Sequence, residues 1–379
     1  MNPMNQHFED IRPYNDLEAQ EAFKRIADSS GFKTLITSYY PEFNFEAFKE
    51  EFSNYKTIQE FHDKFGYHIA RKAINGSTDQ LILRGIEHIS KEKAYSYISN
   101  HRDIVMDALI LQVYIIEALN SLVEISFGSN LMMNQFIIDI GKTCLMYKTD
   151  RSGTTRELYH KLSRLSDYLK YTITEKKRST WIAQRNGRTK DGLDKTDPGL
   201  VKMYSMSGRN DFKNHFIQMK ITPIAVSYQY EPCDYMKVRE TYLKQLGGVY
   251  KKSKNEDYES IVYGINQNKG NCALIITEPI SDVEINGLSD NYTIFCQELT
   301  QLIDHRIISN YKLWNTNYMA YDLLHNSQDY SSKYTESELT AFKHYMNEKL
   351  FHIKDIKDTQ SIEKLFLQLY AHPKIIKNE

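Results

Sequence analysis

The sequence predicts an α/β fold: a mainly parallel central sheet flanked by helices, with an N-terminal helical region and C-terminal helices. Three observations carry that expectation. From about Ala94 to Ile280, short strand-like runs alternate with longer runs of helical period, the pattern of parallel strands joined by helices that cover both sheet faces. Before about Lys93, apolar residues recur at helix spacing in a polar background. After Pro279 the helical period returns. Residues 1–93, 94–280 and 281–379 are therefore expected to form an N-terminal helical region, an α/β domain and a C-terminal helical region packed on the core.

In the first region, helices are predicted over Leu17 to Ala27, Phe45 to Tyr55 and Ile58 to Ile74, with turn signals at Ser29-Ser30-Gly31 and Asn75-Gly76-Ser77. Strands are then predicted at Ala94 to Ile98, Leu122 to Phe127, Thr143 to Tyr147, Ser179 to Ala183, Ile221 to Tyr228 and Cys272 to Thr277. Helices fall between them at Ile104 to Leu119, Leu131 to Ile140, Thr155 to Glu175, Leu200 to Ser205 and Asp234 to Gln245. The polar segment Lys251 to Gly270 reads as a helix between loops. The last region carries helical periods at Thr293 to Ser309, Leu313 to Leu324, Glu336 to Lys349 and Ile362 to Tyr370. No internal repeat or low-complexity tract interrupts the chain.

A length of 379 residues accommodates one large domain with an appended one, or two of ordinary size. A formal charge of −1 gives no long-range attraction to nucleic acid and leaves room only for local basic patches. Tyrosine is the compositional outlier at 28 copies; its apolar body and polar tip suit half-buried surfaces and membrane headgroup zones, and a bias of the source organism would give the same count. Cys144, Cys233, Cys272 and Cys296 lie far apart with no Cys-x-x-Cys pair, which argues against a zinc site or a disulfide framework and fits a reducing cytoplasm. No basic segment followed by an apolar one marks a signal peptide at the start of the sequence. The most apolar stretch, Ile104 to Phe127, is broken by Asp107, Gln112, Glu117 and Glu124 and is too polar to span a bilayer. A soluble or peripheral protein is expected.

The chemistry-bearing residues concentrate at two predicted strand ends. Asn100-His101-Arg102-Asp103 with Asp107 places an imidazole and two carboxylates at a strand-to-helix turn, where a carboxylate can orient a histidine that takes a proton from a hydroxyl. Ordinary capping by Asn100 or Asp103, with His101 solvated, is the plain alternative. Arg185-Asn186-Gly187-Arg188-Thr189-Lys190-Asp191-Gly192 packs cations around a glycine, a composition suited to a phosphate or to solvated loop charges. In a parallel sheet both turns face one cleft. Gly128-Ser129-Asn130 forms a third turn, for substrate contact or for capping the next helix, and Thr222-Pro223-Ile224 begins a strand that shapes the cleft. A kinase catalytic loop is excluded, because Ala108 stands where its asparagine belongs and no Asp-Phe-Gly follows. Neither Gly-x-Ser-x-Gly, Walker A, Gly-x-Gly-x-x-Gly nor His-Glu-x-x-His occurs.

In this order the motifs resemble those of the glycerolipid acyltransferases, the glycerol-3-phosphate and 1-acylglycerol-3-phosphate acyltransferase superfamily, over about Ala94 to Ile280. Asn100-His101 with Asp107 is similar to the family's first block, Gly128 to Asn130 to its second, Arg185 to Gly192 to its third, Thr222-Pro223-Ile224 to its fourth, and Thr277-Glu278-Pro279-Ile280 to its closing strand end. Two departures mark a divergent member. Five residues rather than four separate His101 from Asp107, with Met106 at the family's aspartate position, so either Asp107 or Asp103 serves His101. Arg185 replaces the glutamate of the third block.

The resemblance implies direct acyl transfer from acyl-CoA or acyl carrier protein to a hydroxyl of glycerol 3-phosphate or a lysophospholipid, with no cofactor and no metal. It implies His101 as general base, oriented by Asp107 or Asp103, and an acceptor site drawn from Arg185, Arg188, Thr189, Lys190, Gly128 and Asn130. The dipole of the helix starting near Asp103 would assist the developing oxyanion. Partners would be the acyl donor, the acceptor and a membrane surface, with no nucleic acid, placing the protein in the cytoplasm against the inner face of the membrane. Two alternatives stay open: acylation of another head group such as an amino-acid lipid, and a non-catalytic lipid-binding or scaffold protein of the same fold. A carboxylate within reach of His101, facing a cleft that holds Arg188, would separate catalysis from the scaffold.

Overall fold

A computed structural model describes residues 7–247, 250, 253 and 255–378. Seven strands form one sheet: β1 (Gln80–Arg84), β2 (Ser96–Ser99), β3 (Glu124–Gly128), β4 (Met146–Thr149), β5 (Thr180–Ala183), β6 (Ile221–Tyr228) and β7 (Asn271–Ile276), in the order β1-β7-β6-β2-β5-β3-β4. From β6 to β4 every pairing is parallel; β7 turns antiparallel on β6 and carries β1 parallel to itself. The protein is thus α/β with a mainly parallel sheet flanked by helices, and β2 is its middle strand.

Side-chain alternation explains the two-sided cover. Along β2, Tyr97 joins the apolar cluster on one face with Trp181, Ile224, Val226 and Leu274, while Ile98 joins the other with Ile182, Ile221 and Ala225. Every residue of β2, β5 and β6 is buried, the condition in which parallel strands are stable. Pro223 lies three residues into β6, where its carbonyl accepts from the Thr277 N–H. Having no N–H of its own to return that bond, it ends the ladder with β7.

The N-terminal segment supplies helices Asp16–Ala27, Ser30–Tyr39 and Phe45–Ser53 around an aromatic cluster of Phe23, Phe32, Phe52, Phe61 and Phe65. Two sequence expectations need correction here. Ser29-Ser30-Gly31 is not only a break: Ser29 caps the Ser30–Tyr39 helix by accepting from Phe32 N, so a helix follows where none was expected. The segment up to Lys93 is also not wholly helical, because β1 lies within it and pairs with β7. The expected helix at Ile58 to Ile74 is present but broken by a π-turn at His62–Gly66.

Helix Glu256–Asn266 falls within the segment expected to hold one; Lys251, Lys252 and Lys254 of that segment lie outside the described residues. C-terminal helices Asn315–His325, Glu336–Phe351 and Thr359–Asn378 share a core with Val238 of helix Asp234–Gln245, and Tyr292–Asn310 packs on β6. Among the described residues no helix is long and apolar enough to cross a membrane, and all four cysteines are free.

Candidate active site

Because β2, β5, β3 and β4 are parallel, the residues following each arrive at the same end of the sheet. There they line an open cleft of about 610 Å³. His101 comes from β2, Arg185 to Arg188 and Lys190 from β5, Gly128 to Leu131 from β3, and Arg151 from β4, with Glu240 and Lys244 closing one side from helix Asp234–Gln245.

Asn100 ends β2 by putting its side chain where a strand residue would be. Its amide donates to Val226 O and accepts from Val226 N, both at 2.8 Å, and donates to Asp194. It stitches the turn to β6 rather than capping a helix. The chain then folds back on Asp107, in the first turn of helix Met106–Leu119. Asp107 is 0 % exposed. Its Oδ2 accepts from Arg102 N (2.7 Å) and Asp103 N (3.0 Å) and lies 2.9 Å from His101 Nδ1. Its Oδ1 accepts from the Tyr228 hydroxyl at 2.7 Å. A carboxylate on Nδ1 selects the tautomer with its lone pair on Nε2. Among the described residues Nε2 has no hydrogen-bond partner, while the ring meets Trp181 edge-on.

Asp103 has a different task. Its Oδ1 accepts from Val105 N and Met106 N, closing the turn that leads into the helix, and it makes no hydrogen bond to His101. The N–H groups of Arg102, Asp103, Val105 and Met106 are all consumed by Asp107 and Asp103, so none of them is free for an oxyanion.

On the β5 side, Gly187 and Gly192 have φ of +72° and +82°, which lets the basic loop double back. Arg188 is 6 % exposed, lines the cleft, and leaves Nη1 without a hydrogen-bond partner. Burial opposes its charge, but Cys233, Asp103 and Glu240 nearby raise its affinity for the proton. Lys190 pairs with Glu240 at 2.6 Å. Burial, then Arg188, push the Lys190 ammonium down to about 8 against the pull of Glu240. Burial alone would raise the Glu240 carboxyl; Lys190 and Lys244 bring it down to about 2. Arg185 is half-buried at the cleft. Thr189 departs from expectation: it is fully buried, outside the cleft lining, and its hydroxyl donates within its own turn to Asp191. Its N–H holds the His101 carbonyl at 2.9 Å, so it ties the two turns together. Gly128 and Asn130 line the cleft, and Asn130 donates to Asp257.

Behind the cleft stands a charge network that sequence reasoning missed. The Arg102 guanidinium, 1 % exposed, donates to Asp194, Glu231 and Gly192 O. Buried Lys237 donates to Glu231 and to Arg102 O. Tyr228, Arg151, Lys244, Glu240 and Asp257 were also missed. Position immediately after a strand was the available signal for Arg151; nothing in the sequence pointed to the others. Arg151, Arg185, Arg188, Lys190 and Lys244 together outnumber the two carboxylates of the cleft, Glu240 and Asp257, giving a locally positive site in a chain of nearly zero net charge. Thr277 to Ile280 lies at the opposite end of the sheet, where Ile280 N donates to Ile221 O at the start of β6. Among the described residues no three His, Cys, Asp or Glu side chains are grouped to hold a metal ion.

No family model matches the chain, and no curated protein matches it. Among solved structures, the crystal structure of the 1-acyl-sn-glycerophosphate acyltransferase from Thermotoga maritima aligns with 77 % of this chain and 95 % of its own, at 12 % identity and a TM-score of 0.36. That is a distant likeness of fold.

Proposed function

We propose that this protein is an O-acyltransferase that moves an acyl group from a thioester, acyl-CoA or acyl carrier protein, to a hydroxyl of a phosphate-bearing acceptor, glycerol 3-phosphate or a lysophospholipid. The observation that carries the reading is the joint placement, in one open cleft, of a carboxylate-paired imidazole with a bare Nε2 and the cations Arg185, Arg188 and Lys190. A thioester is already activated, so the protein needs to deprotonate the acceptor and hold both partners in line. His101 Nε2 takes the hydroxyl proton as the oxygen attacks the thioester carbonyl. The tetrahedral intermediate collapses with cleavage of the C–S bond, and the imidazolium returns the proton to the departing thiolate. Asp107 holds the imidazole and balances its transient charge. Arg188 and Lys190, with Arg185 at the rim, bind the acceptor's phosphate. Acylated product partitions into lipid, so the protein would work at a membrane surface.

The geometry favours catalysis over a scaffold, because an inert relic has no need of a histidine whose free nitrogen faces a cationic cleft. The test is to incubate purified protein with labelled acyl-CoA or acyl carrier protein and a panel of acceptors, then analyse the lipids. Transfer to glycerol 3-phosphate or lysophosphatidate is expected. Transfer only to acceptors without a phosphate would overturn the assigned acceptor, and no transfer to any would overturn the enzyme.

A further inference from the structure

Tyr228 is the last residue of β6 and is 1 % exposed. Its hydroxyl is the partner of Asp107 Oδ1. Among the described residues Oδ1 has no other, whereas Oδ2 gathers His101 and two N–H groups of the turn. The carboxylate is therefore strung between the sheet and the turn. We propose that Tyr228 is a positioning residue: it anchors Asp107 through Oδ1 and draws negative charge away from the oxygen that faces His101, acting on the imidazole only through Asp107.

The physical reason is charge sharing. A carboxylate divides one negative charge between two oxygens, and a donor on one weakens the other as an acceptor. Burial, then the charge of Asp107, push the Tyr228 phenol well above its ordinary range, so it stays protonated and donating. Without it, Oδ1 is a buried oxygen with no donor, the turn N–H groups still hold Oδ2 against Nδ1, and the charge left on the carboxylate grips the Nδ1 proton more tightly.

The experiment compares full-length wild type with Tyr228→Phe, which removes one oxygen and keeps the ring. In protein labelled with ¹⁵N-histidine, the Nδ1 proton of His101 is identified as the low-field resonance missing from His101→Gln. In Tyr228→Phe it is expected to move downfield; a resonance that stays in place or moves upfield would overturn the proposal. The activity arm rests on the proposed acyl transfer: kcat should fall about tenfold, as for loss of a hydrogen bond to a charged group, with acceptor KM held within about twofold. A KM change with kcat intact would refute positioning. Should the wild type transfer no acyl group, the proposed function fails while the proton displacement alone still decides the part played by Tyr228. If Tyr228→Phe does not fold, wild type labelled with ¹³C at tyrosine Cζ supplies the second measurement. A slowly exchanging Tyr228 hydroxyl proton should show a cross-peak to the His101 Nδ1 proton, and its absence would overturn the proposal.

Discussion

His101 Nδ1 lies 2.9 Å from Asp107 Oδ2, although the five residues between them leave one turn and begin a helix. The contact closes because Arg102 N and Asp103 N point at the same oxygen, curling the turn around the carboxylate. One extra residue is absorbed as a wider loop, and the acid of the first helical turn still reaches the ring.

Replacement of His101 separates catalysis from folding. His101→Ala should lower turnover by about 10²–10⁴-fold, the usual worth of a positioned base, and leave thermal unfolding near wild type. Asp107→Ala should lose activity and stability together, because it strands buried donors at about 1–3 kcal/mol each. Activity assays beside thermal melts check both, and wild-type turnover in His101→Ala would reject the assigned base.

The place of Arg188 in the cleft lining makes a binding prediction. Arg188→Ala should raise the acceptor's KM by about 10–100-fold, the range of one charge-assisted hydrogen bond, with a smaller effect on kcat. Steady-state kinetics with varied acceptor decide it, and an unchanged KM would remove Arg188 from the head-group site.

Acceptor binding should also weaken in alkali. The Lys190 ammonium is pushed down to about 8, so its charge is present below that pH and lost above it. Between pH 8 and 9 acceptor KM should climb about fivefold, as the protonated fraction falls from about one half to about one tenth. Lys190→Arg stays charged and should flatten the rise. A wild-type KM that ignores pH over this range would show that Lys190 does not hold the anion.

Arg102 should govern stability rather than binding. Its guanidinium is enclosed by Asp194 and Glu231, so Arg102→Met leaves Glu231 with Lys237 but strips the buried Asp194 of its cation, with the Asn100 amide still donating to it. A loss of about 3–5 kcal/mol is expected, as for breaking a buried pair, measured by urea unfolding. A variant as stable as wild type would mean that the network contributes nothing.

Legibility followed the local signal. Ile221–Tyr228 and Asp234–Gln245 have the bounds read from the sequence, because each is a long run of one period. β1 escaped notice because Gln80–Arg84 is a half-exposed edge strand of five residues that becomes a strand only by pairing with β7. The helix at Ser30–Tyr39 was hidden because Ser29-Ser30 reads equally as a turn and as a cap. In the cleft, the parallel order brought the β2 and β5 turns to one end of the sheet, as alternation predicted. Thr189 and Asp103 were misplaced because a spacing pattern cannot tell a side chain aimed at the cleft from one bonded into its own turn.

The order of strands and helices, the apolar faces that bury them, and the polar types at the strand ends were written in the sequence, because periodicity and turn chemistry act over a few neighbouring residues. Choosing Asp107 over Asp103 as the partner of His101, enlisting Tyr228 from 121 positions away, and setting Arg188 rather than Thr189 in the cleft lining belonged to the tertiary structure. Each depends on which donors and acceptors meet across the sheet, and a linear chain does not specify those distances until its core has packed.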